Sequence, residues 1–156
     1  MSTLWSNSTL WLPVSIVFLV QFFKFITESV QKGNLNWDSL ARSGGMPSSH
    51  SAMVSSLATA VAYKEGMGSN LFAVAVVLAV IVVHDARGIR HESGKQAMSI
   101  NRLMREVFEN PTDIFEQQSV VYEELKERMG HTSVEVFMGT VVGILYVIGI
   151  YSLVAI

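Results

Sequence analysis

The sequence GGMPSSHS at residues 44–51 joins a glycine-containing loop to a segment of small and apolar residues. Proline is tolerated in the first turn of a helix, because its missing N–H group would have no intrahelical partner there. Serine side chains accept hydrogen bonds from the N–H groups of a first turn, so Ser48 and Ser49 are candidate caps. We therefore expect a helix to begin near Pro47 and to continue through Ser51–Tyr63.

This helix start also predicts a site for an anion. The first-turn N–H groups and the positive end of the helix dipole together attract negative charge, and phosphate is the usual ligand. His50 lies in this turn, and a histidine beside a phosphate can act as a proton donor or as a nucleophile. The stretch points to phosphate chemistry beside or inside a membrane, with Ser48 and Ser49 as candidate phosphate ligands.

The composition is typical of a membrane protein. Half of the 156 residues are hydrophobic, and charged residues make up 15%, against roughly 25% in a typical soluble domain. A net charge of −2 argues against nucleic-acid binding, which usually requires a basic protein. The chain has no cysteine, which excludes disulfides and thiolate chemistry. We expect one domain over residues 1–156 and, since no basic residue precedes the first apolar run, no signal peptide.

Long apolar runs predict the membrane-spanning helices. The run Trp11–Val30 has the length of about 20 residues that a bilayer requires. Leu71–Val83 is rich in β-branched residues and could form a buried strand, but a helix satisfies its own backbone hydrogen bonds in a membrane. Val134–Ile156 is the clearest spanning segment. With Ser51–Tyr63, these runs predict an all-α integral membrane bundle of about four hydrophobic helices.

Most of the charge lies between the third and fourth apolar runs. One amphipathic helix is predicted by apolar residues at helical spacing, namely Ala97, Ile100, Met104, Val107 and Phe108. Residues 110–113 break this pattern, and residues 118–129 resume it before Gly130. We therefore expect an amphipathic helical hairpin on one side of the membrane.

The basic residues predict which side that is. Seven of the 11 lysines and arginines lie between Arg87 and Arg128. Because cytoplasmic loops carry an excess of basic residues, we expect residues 31–47 and 87–131 to face the cytoplasm. This topology brings His50, Asp85 and His131 to the same membrane depth.

A second motif, GHTSVE at residues 130–135, places His131 and Glu135 on one helix face. A carboxylate one turn from a histidine can accept its Nδ1–H and stabilise the imidazolium, which makes the ring a better nucleophile. The alternative is structural, because the helix dipole favours an acidic residue in a first turn in any case.

These motifs together resemble those of the phosphatidic acid phosphatase type 2 and vanadium haloperoxidase superfamily. The tetrad PSSH resembles that superfamily's PSGH, and GHxxxE resembles its last motif, in which aspartate follows the histidine by four residues. The longer segments GGMPSSHS, DARGIR at residues 85–90 and GHTSVEV look like the divergent bacterial and plastid branch.

The resemblance implies a mechanism with two histidines. His131 matches the nucleophile that forms a phosphohistidine, and Glu135 matches the residue that orients it. His50 matches the general acid that protonates the leaving alcohol. Ser48 and the backbone at Ser49 match the phosphate cradle.

Two cations of the superfamily pattern are missing. No lysine is followed seven residues later by Arg-Pro, and Leu125 stands where an arginine precedes the nucleophile by six residues. Each such contact can be worth on the order of 10²–10³ in rate. We expect Arg42, Arg90 or Lys126 to substitute in binding phosphate. Lys24 in the first helix either substitutes as well or snorkels to the interface, and we favour the interface.

Asp85 ends the third apolar run, and an acid in that position usually faces the bundle interior and has a partner. Arg90, a histidine or a metal ion could be that partner, and we count Asp85 among the catalytic candidates. A metal site built from His50, Asp85, His131 and Glu135 would lack tight ligand spacing. We therefore expect no metal and no other cofactor.

Two functions remain open. The leading interpretation is a phosphoric monoester hydrolase of the membrane, acting on a lipid or isoprenoid phosphate. The alternative is a non-catalytic relative that binds a lipid phosphate or scaffolds another membrane protein. The histidine pair favours the enzyme, and the missing arginines favour the alternative. The pair Gly139-x-x-x-Gly143 either admits a neighbouring helix, which could come from a second copy in a homo-oligomer, or is incidental.

Overall fold

The computed structural model describes residues 6–35, 45–109, 124–125 and 130–154, with the backbone alone at residues 89–91 and 107–109. This part of the chain is helical and contains no strand, as expected for an all-α bundle. Its five helices are α1 (Ser8–Lys32), α2 (Ser49–Glu65), α3 (Asn70–Arg87), α4 (Ile89–Glu109) and α5 (Ser133–Val154).

Three helical segments of the described chain are long and apolar enough to cross a membrane. They are α1, α5 and the segment Asn70–Glu106, which begins with α3. The fourth hydrophobic helix, α2, has only 17 residues. It contacts α1, α3 and α5 and so forms the centre of the bundle.

Small side chains suit α2 for this central position. Its buried face is largely serine and alanine, and Ala52, Ser56 and Ala60 are fully buried. The hydroxyl of Ser55 donates to the carbonyl oxygen of Ala52 at 3.2 Å, and that of Ser56 donates to Met53 at 2.8 Å. Because these hydroxyls bond within their own helix, a serine-rich helix can be buried without unpaired donors.

The glycine pair of α5 allows α2 to come close. A Cβ atom on Gly139 would overlap the carbonyl oxygen of Ser48, and one on Gly143 would overlap the Ser55 hydroxyl. The pair is therefore not incidental, and the helix that it admits belongs to the same chain. A homo-oligomer through Gly139 and Gly143 would have to displace α2, so this pair no longer supports that prediction.

The start of α2 differs from the prediction. The helix begins at Ser49, with Ser48 as its N-cap in an extended backbone conformation, so Pro47 precedes the helix and does not occupy its first turn. The Ser48 hydroxyl accepts a hydrogen bond from the N–H of Ser51 at 3.4 Å. Capping by Ser48 thus fixes the start of the helix two residues after the proline.

The amphipathic helix α4 holds the segment that leads to α5. The amide of Asn101 donates to the carbonyl oxygen of Leu125 at 2.9 Å and accepts from its N–H at 3.0 Å. Arg105 forms an ion pair with Glu124 at 2.6 Å. The second amphipathic helix was expected over residues 118–129, most of which lie outside the described residues. Glu124 and Leu125, which are described, are not helical.

Candidate functional site

The ends of three helices meet on one side of the bundle. The N–H of His131 donates to the carbonyl oxygen of Ala86 at 3.1 Å, which joins the start of α5 to the end of α3. The N–H of Ser48 donates to the carbonyl oxygen of Glu135 at 3.0 Å, which joins the start of α2 to the first turn of α5. The two sequence motifs are therefore adjacent in the fold.

His131 and Glu135 form a hydrogen-bonded pair. The Nδ1 atom of His131 lies 3.0 Å from Oε2 of Glu135, and the histidine side chain is only 6% exposed. An ionised carboxylate can only accept, so the neutral ring carries its proton on Nδ1. The Nε2 atom then keeps its lone pair, which is the form that a nucleophile requires.

Glu135 has a structural role as well. Its Oε2 atom accepts from the N–H of Thr132 at 3.0 Å, while the Thr132 hydroxyl accepts from the N–H of Glu135 at 3.3 Å. These reciprocal bonds form a capping box at the start of α5. The two interpretations of this motif are therefore compatible, because the cap holds the carboxylate in the position from which it reaches His131.

His50 lies opposite His131. The two ring centroids are 6.5 Å apart and the rings are tilted by 58°. His50 is exposed whereas His131 is buried. The structure thus brings the imidazoles of the two motifs close together.

Ser48 is less open to a ligand than its motif indicated. The residue is fully buried. Its hydroxyl oxygen accepts from the Ser51 hydroxyl at 3.1 Å as well as from the Ser51 N–H. Ser49 is 6% exposed. A phosphate could reach the Ser48 hydroxyl only by opening the cap, so we expect any phosphate contact here to come from backbone N–H groups of the first turn.

Lys24 lies inside the bundle and not at the interface. Its side chain is only 3% exposed, so the expectation that it snorkels to the interface is wrong. Its ammonium group interacts electrostatically with the carboxylates of Glu135 and Glu28. A buried lysine of α1 is thus close enough to Glu135 for electrostatic attraction.

A signal for the burial of Lys24 was present in the sequence. Leu12, Ile16 and Val20 are buried at intervals of four residues along α1, and Lys24 is the next position of that stripe. Residues four apart share one face of a helix. The apolar stripe therefore predicts that Lys24 faces the bundle, whereas its charge considered alone had favoured the interface.

The other predicted site residues remain predictions. Asp85 is half-buried at the end of α3, one residue before Ala86. Arg42 and Lys126 lie outside the described residues, and Arg90 lies in the first turn of α4, where the backbone alone is described. Among the described side chains, no group of three or more histidine, aspartate or glutamate residues could hold a metal ion.

Comparisons with known proteins point to one family. A family model described as the Divergent PAP2 family matches residues 5–146. The "Uncharacterized membrane protein YuiD" of Bacillus subtilis (strain 168) is 38% identical over 144 residues, which cover 90% of this chain and 91% of that protein. No solved structure matches the chain.

Proposed function

The chain belongs to the divergent PAP2 family of membrane proteins, and we propose that it is a phosphatase that hydrolyses a lipid or isoprenoid monophosphate. The observation that carries this proposal is the pairing of His131 with Glu135, opposite the ring of His50. This arrangement supports roles for His131 as the nucleophile, Glu135 as its orienting group and His50 as the proton donor to one phosphate ester.

The proposed reaction has two steps. The Nε2 atom of His131 attacks phosphorus, the bond from phosphorus to the lipid oxygen breaks, and protonated His50 gives its proton to the departing alkoxide. Water then attacks the phosphohistidine while His50 accepts a proton from that water. Inorganic phosphate leaves, and both histidines return to their starting states. Glu135 stabilises the positive charge on the His131 ring in the first step.

Lys24 supplies charge that the missing superfamily cations would otherwise provide. The transferred phosphoryl group carries negative charge on its non-bridging oxygens, and fixed cations stabilise that charge most strongly where water is excluded. The burial of Lys24 and its interaction with Glu135 support this role. Arg42, Arg90 and Lys126 remain further candidates for the same task.

A second function, binding without catalysis, is favoured by the structural roles of the same motifs. Glu135 completes a capping box, and the Ser48 hydroxyl is enclosed in the cap of α2. Both motifs would therefore be retained in a protein that only binds a lipid phosphate or scaffolds a partner.

The role of His50 distinguishes the two functions. Poor alkoxide leaving groups need a proton, whereas nitrophenolate leaves without one. We expect His50→Ala to lower kcat/KM for an alkyl phosphate by about 10²-fold, within the range that general acid catalysis supplies, and to lower it much less for para-nitrophenyl phosphate. Both values of kcat/KM are measured as phosphate release from purified protein in detergent. Equal losses on the two substrates would contradict proton donation by His50, and background release from the wild type on both would favour the binding protein.

We further propose that the site faces the cytoplasm, because basic residues are concentrated on its side of the membrane. The chain has no cysteine, so single-cysteine variants can be labelled without background. In intact cells, an impermeant maleimide should label Gly68→Cys, in the turn between α2 and α3, but should label Ser99→Cys in α4 only after permeabilisation. The reverse pattern would place the site on the outer face.

A further inference from the structure

A groove runs along α2 on the side where α3 and α5 separate. Both helices pack against α2 but have few contacts with each other. The space between them has a volume of about 580 Å³, within the range of roughly 300–1,000 Å³ of small-molecule sites. Its floor is formed by small side chains of α2, among them Ala58 and Ala62, and no charged residue is among the described side chains that line it. We call this space the chain groove.

One end of the chain groove lies next to the candidate site. On α2, the lining residue Val54 follows His50 by four residues. On α3, Val83 precedes Ala86 by three residues, and on α5, Thr140 follows Glu135 by five. At a rise of about 1.5 Å per residue, the groove therefore begins roughly 4–8 Å along each helix from a residue of the site.

The other end of the chain groove lies at the opposite side of the bundle. Phe72, near the start of α3, lines it there, 11 residues from Val83. That separation corresponds to roughly 16 Å along the helix axis. The hydrocarbon region of a bilayer is about 30 Å thick, or about 15 Å for each leaflet. A hydrocarbon chain that starts at the site can thus lie along the groove for roughly half the thickness of the bilayer.

The chemistry of the chain groove and of its site end indicates which kind of ligand the groove binds. Val76 and Val80 of α3 line the groove and are 36% and 62% exposed, so the groove is open sideways within a membrane-spanning segment. The site end has His50 and His131 beside the N-terminus of α2, where a helix favours an anion. Such an end, joined to an uncharged apolar groove, is complementary to an amphiphile with an anionic head and one hydrocarbon chain.

We propose that the chain groove binds the hydrocarbon chain of the same lipid phosphate whose phosphate group lies between His50 and His131. The inference rests on the proposed function for the head group, and it adds that one chain, held by α2, α3 and α5, is recognised. A molecule with a single chain fills the groove, whereas a second chain would remain in the bilayer.

The test uses side chains that fill the groove. Ala58→Phe and Ala79→Phe place a ring in its lining, and Ala73→Phe places the same ring on an exposed position of α3 outside that lining. In detergent, kcat/KM is measured for hexadecyl phosphate and for para-nitrophenyl phosphate. We expect the ratio of the two to fall at least about tenfold in both groove variants, because the added ring takes the space of the chain. In Ala73→Phe, the ratio should stay within about twofold of the wild-type ratio. An unchanged ratio in folded groove variants would overturn the proposal.

A binding measurement keeps the two proposals separable. A hexadecyl phosphate with a diazirine at the middle of its chain is photolysed with the wild type in vesicles of phosphatidylcholine, and the labelled residues are mapped by mass spectrometry. We expect labelled residues on the groove faces of α2 and α3. The labelling should be lost when excess hexadecyl phosphate is added and should persist when excess phosphatidylcholine is added. This result without turnover would reject the phosphatase and retain the groove. Label elsewhere, or displacement by phosphatidylcholine, would overturn the groove whatever the turnover.

Discussion

Replacing His131 by asparagine is expected to reduce phosphate release by at least about 10³-fold, to background, as is typical when a covalent nucleophile is lost. Asparagine keeps a hydrogen-bond donor for Glu135 but has no Nε2 atom to attack phosphorus. The backbone N–H of residue 131, which bonds to Ala86, is retained. The measurement is phosphate release in detergent, with the unfolding temperature recorded for each protein.

Glu135→Gln is the matched variant for this experiment. Glutamine is accepted at the third position of a capping box, so the start of α5 should remain stable while the negative charge beside His131 is lost. We expect turnover to fall, but less than in His131→Asn, because an orienting group supports the nucleophile without replacing it. Wild-type turnover no higher than that of His131→Asn across lipid and isoprenoid phosphates would reject the phosphatase.

Replacing Lys24 by methionine is expected to lower kcat/KM by about 10²–10³-fold, the effect of removing one charge-stabilising contact from a transition state. Methionine preserves much of the length of the side chain and removes its charge. Affinity for vanadate, which mimics the transferred phosphoryl group, should fall in parallel. Lys24→Arg should retain part of the kcat/KM and part of the vanadate affinity, because arginine keeps the positive charge.

The control for Lys24 is Lys32→Met on the same helix. Lys32 pairs with Glu28 at 3.4 Å, and its side chain is 45% exposed, so its loss should change turnover by less than about twofold. A folded Lys24→Met protein with wild-type turnover and vanadate affinity would show that the buried ammonium serves packing alone. The cation would then have to be sought among Arg42, Arg90 and Lys126.

The spanning helices could be predicted because each apolar run is long enough to require a helix in a membrane. For the expected run Val134–Ile156, the observed helix is Ser133–Val154. For the expected run Trp11–Val30, it is Ser8–Lys32. The central place of α2 could not be predicted in this way, because it depends on contacts between helices. It follows from the contacts of α2 with α1, α3 and α5, of which the close approach of Gly139 and Gly143 is one.

The site was predictable where the chemistry depends on neighbours in one helix. The pairing of His131 with Glu135 follows from a spacing of four residues, and the structure has that hydrogen bond. For Lys24 the sequence favoured the interface over the site, because the carboxylate of Glu135, which attracts it, is 111 positions away in the sequence. The family resemblance, which the matched family model confirms, did not favour Lys24 as a site residue either, because the superfamily's lysine motif is absent.

The proposed mechanism passes phosphate through a covalent bond to His131, and this bond can be trapped. Wild-type protein mixed with para-nitrophenyl phosphate is denatured rapidly in alkali, which preserves phosphohistidine, and its peptides are examined by mass spectrometry. We expect a phosphate group on His131 of the wild type and of His50→Ala, and none in His131→Asn. Steady phosphate release without any adduct on His131, or with the adduct on another residue, would contradict that mechanism.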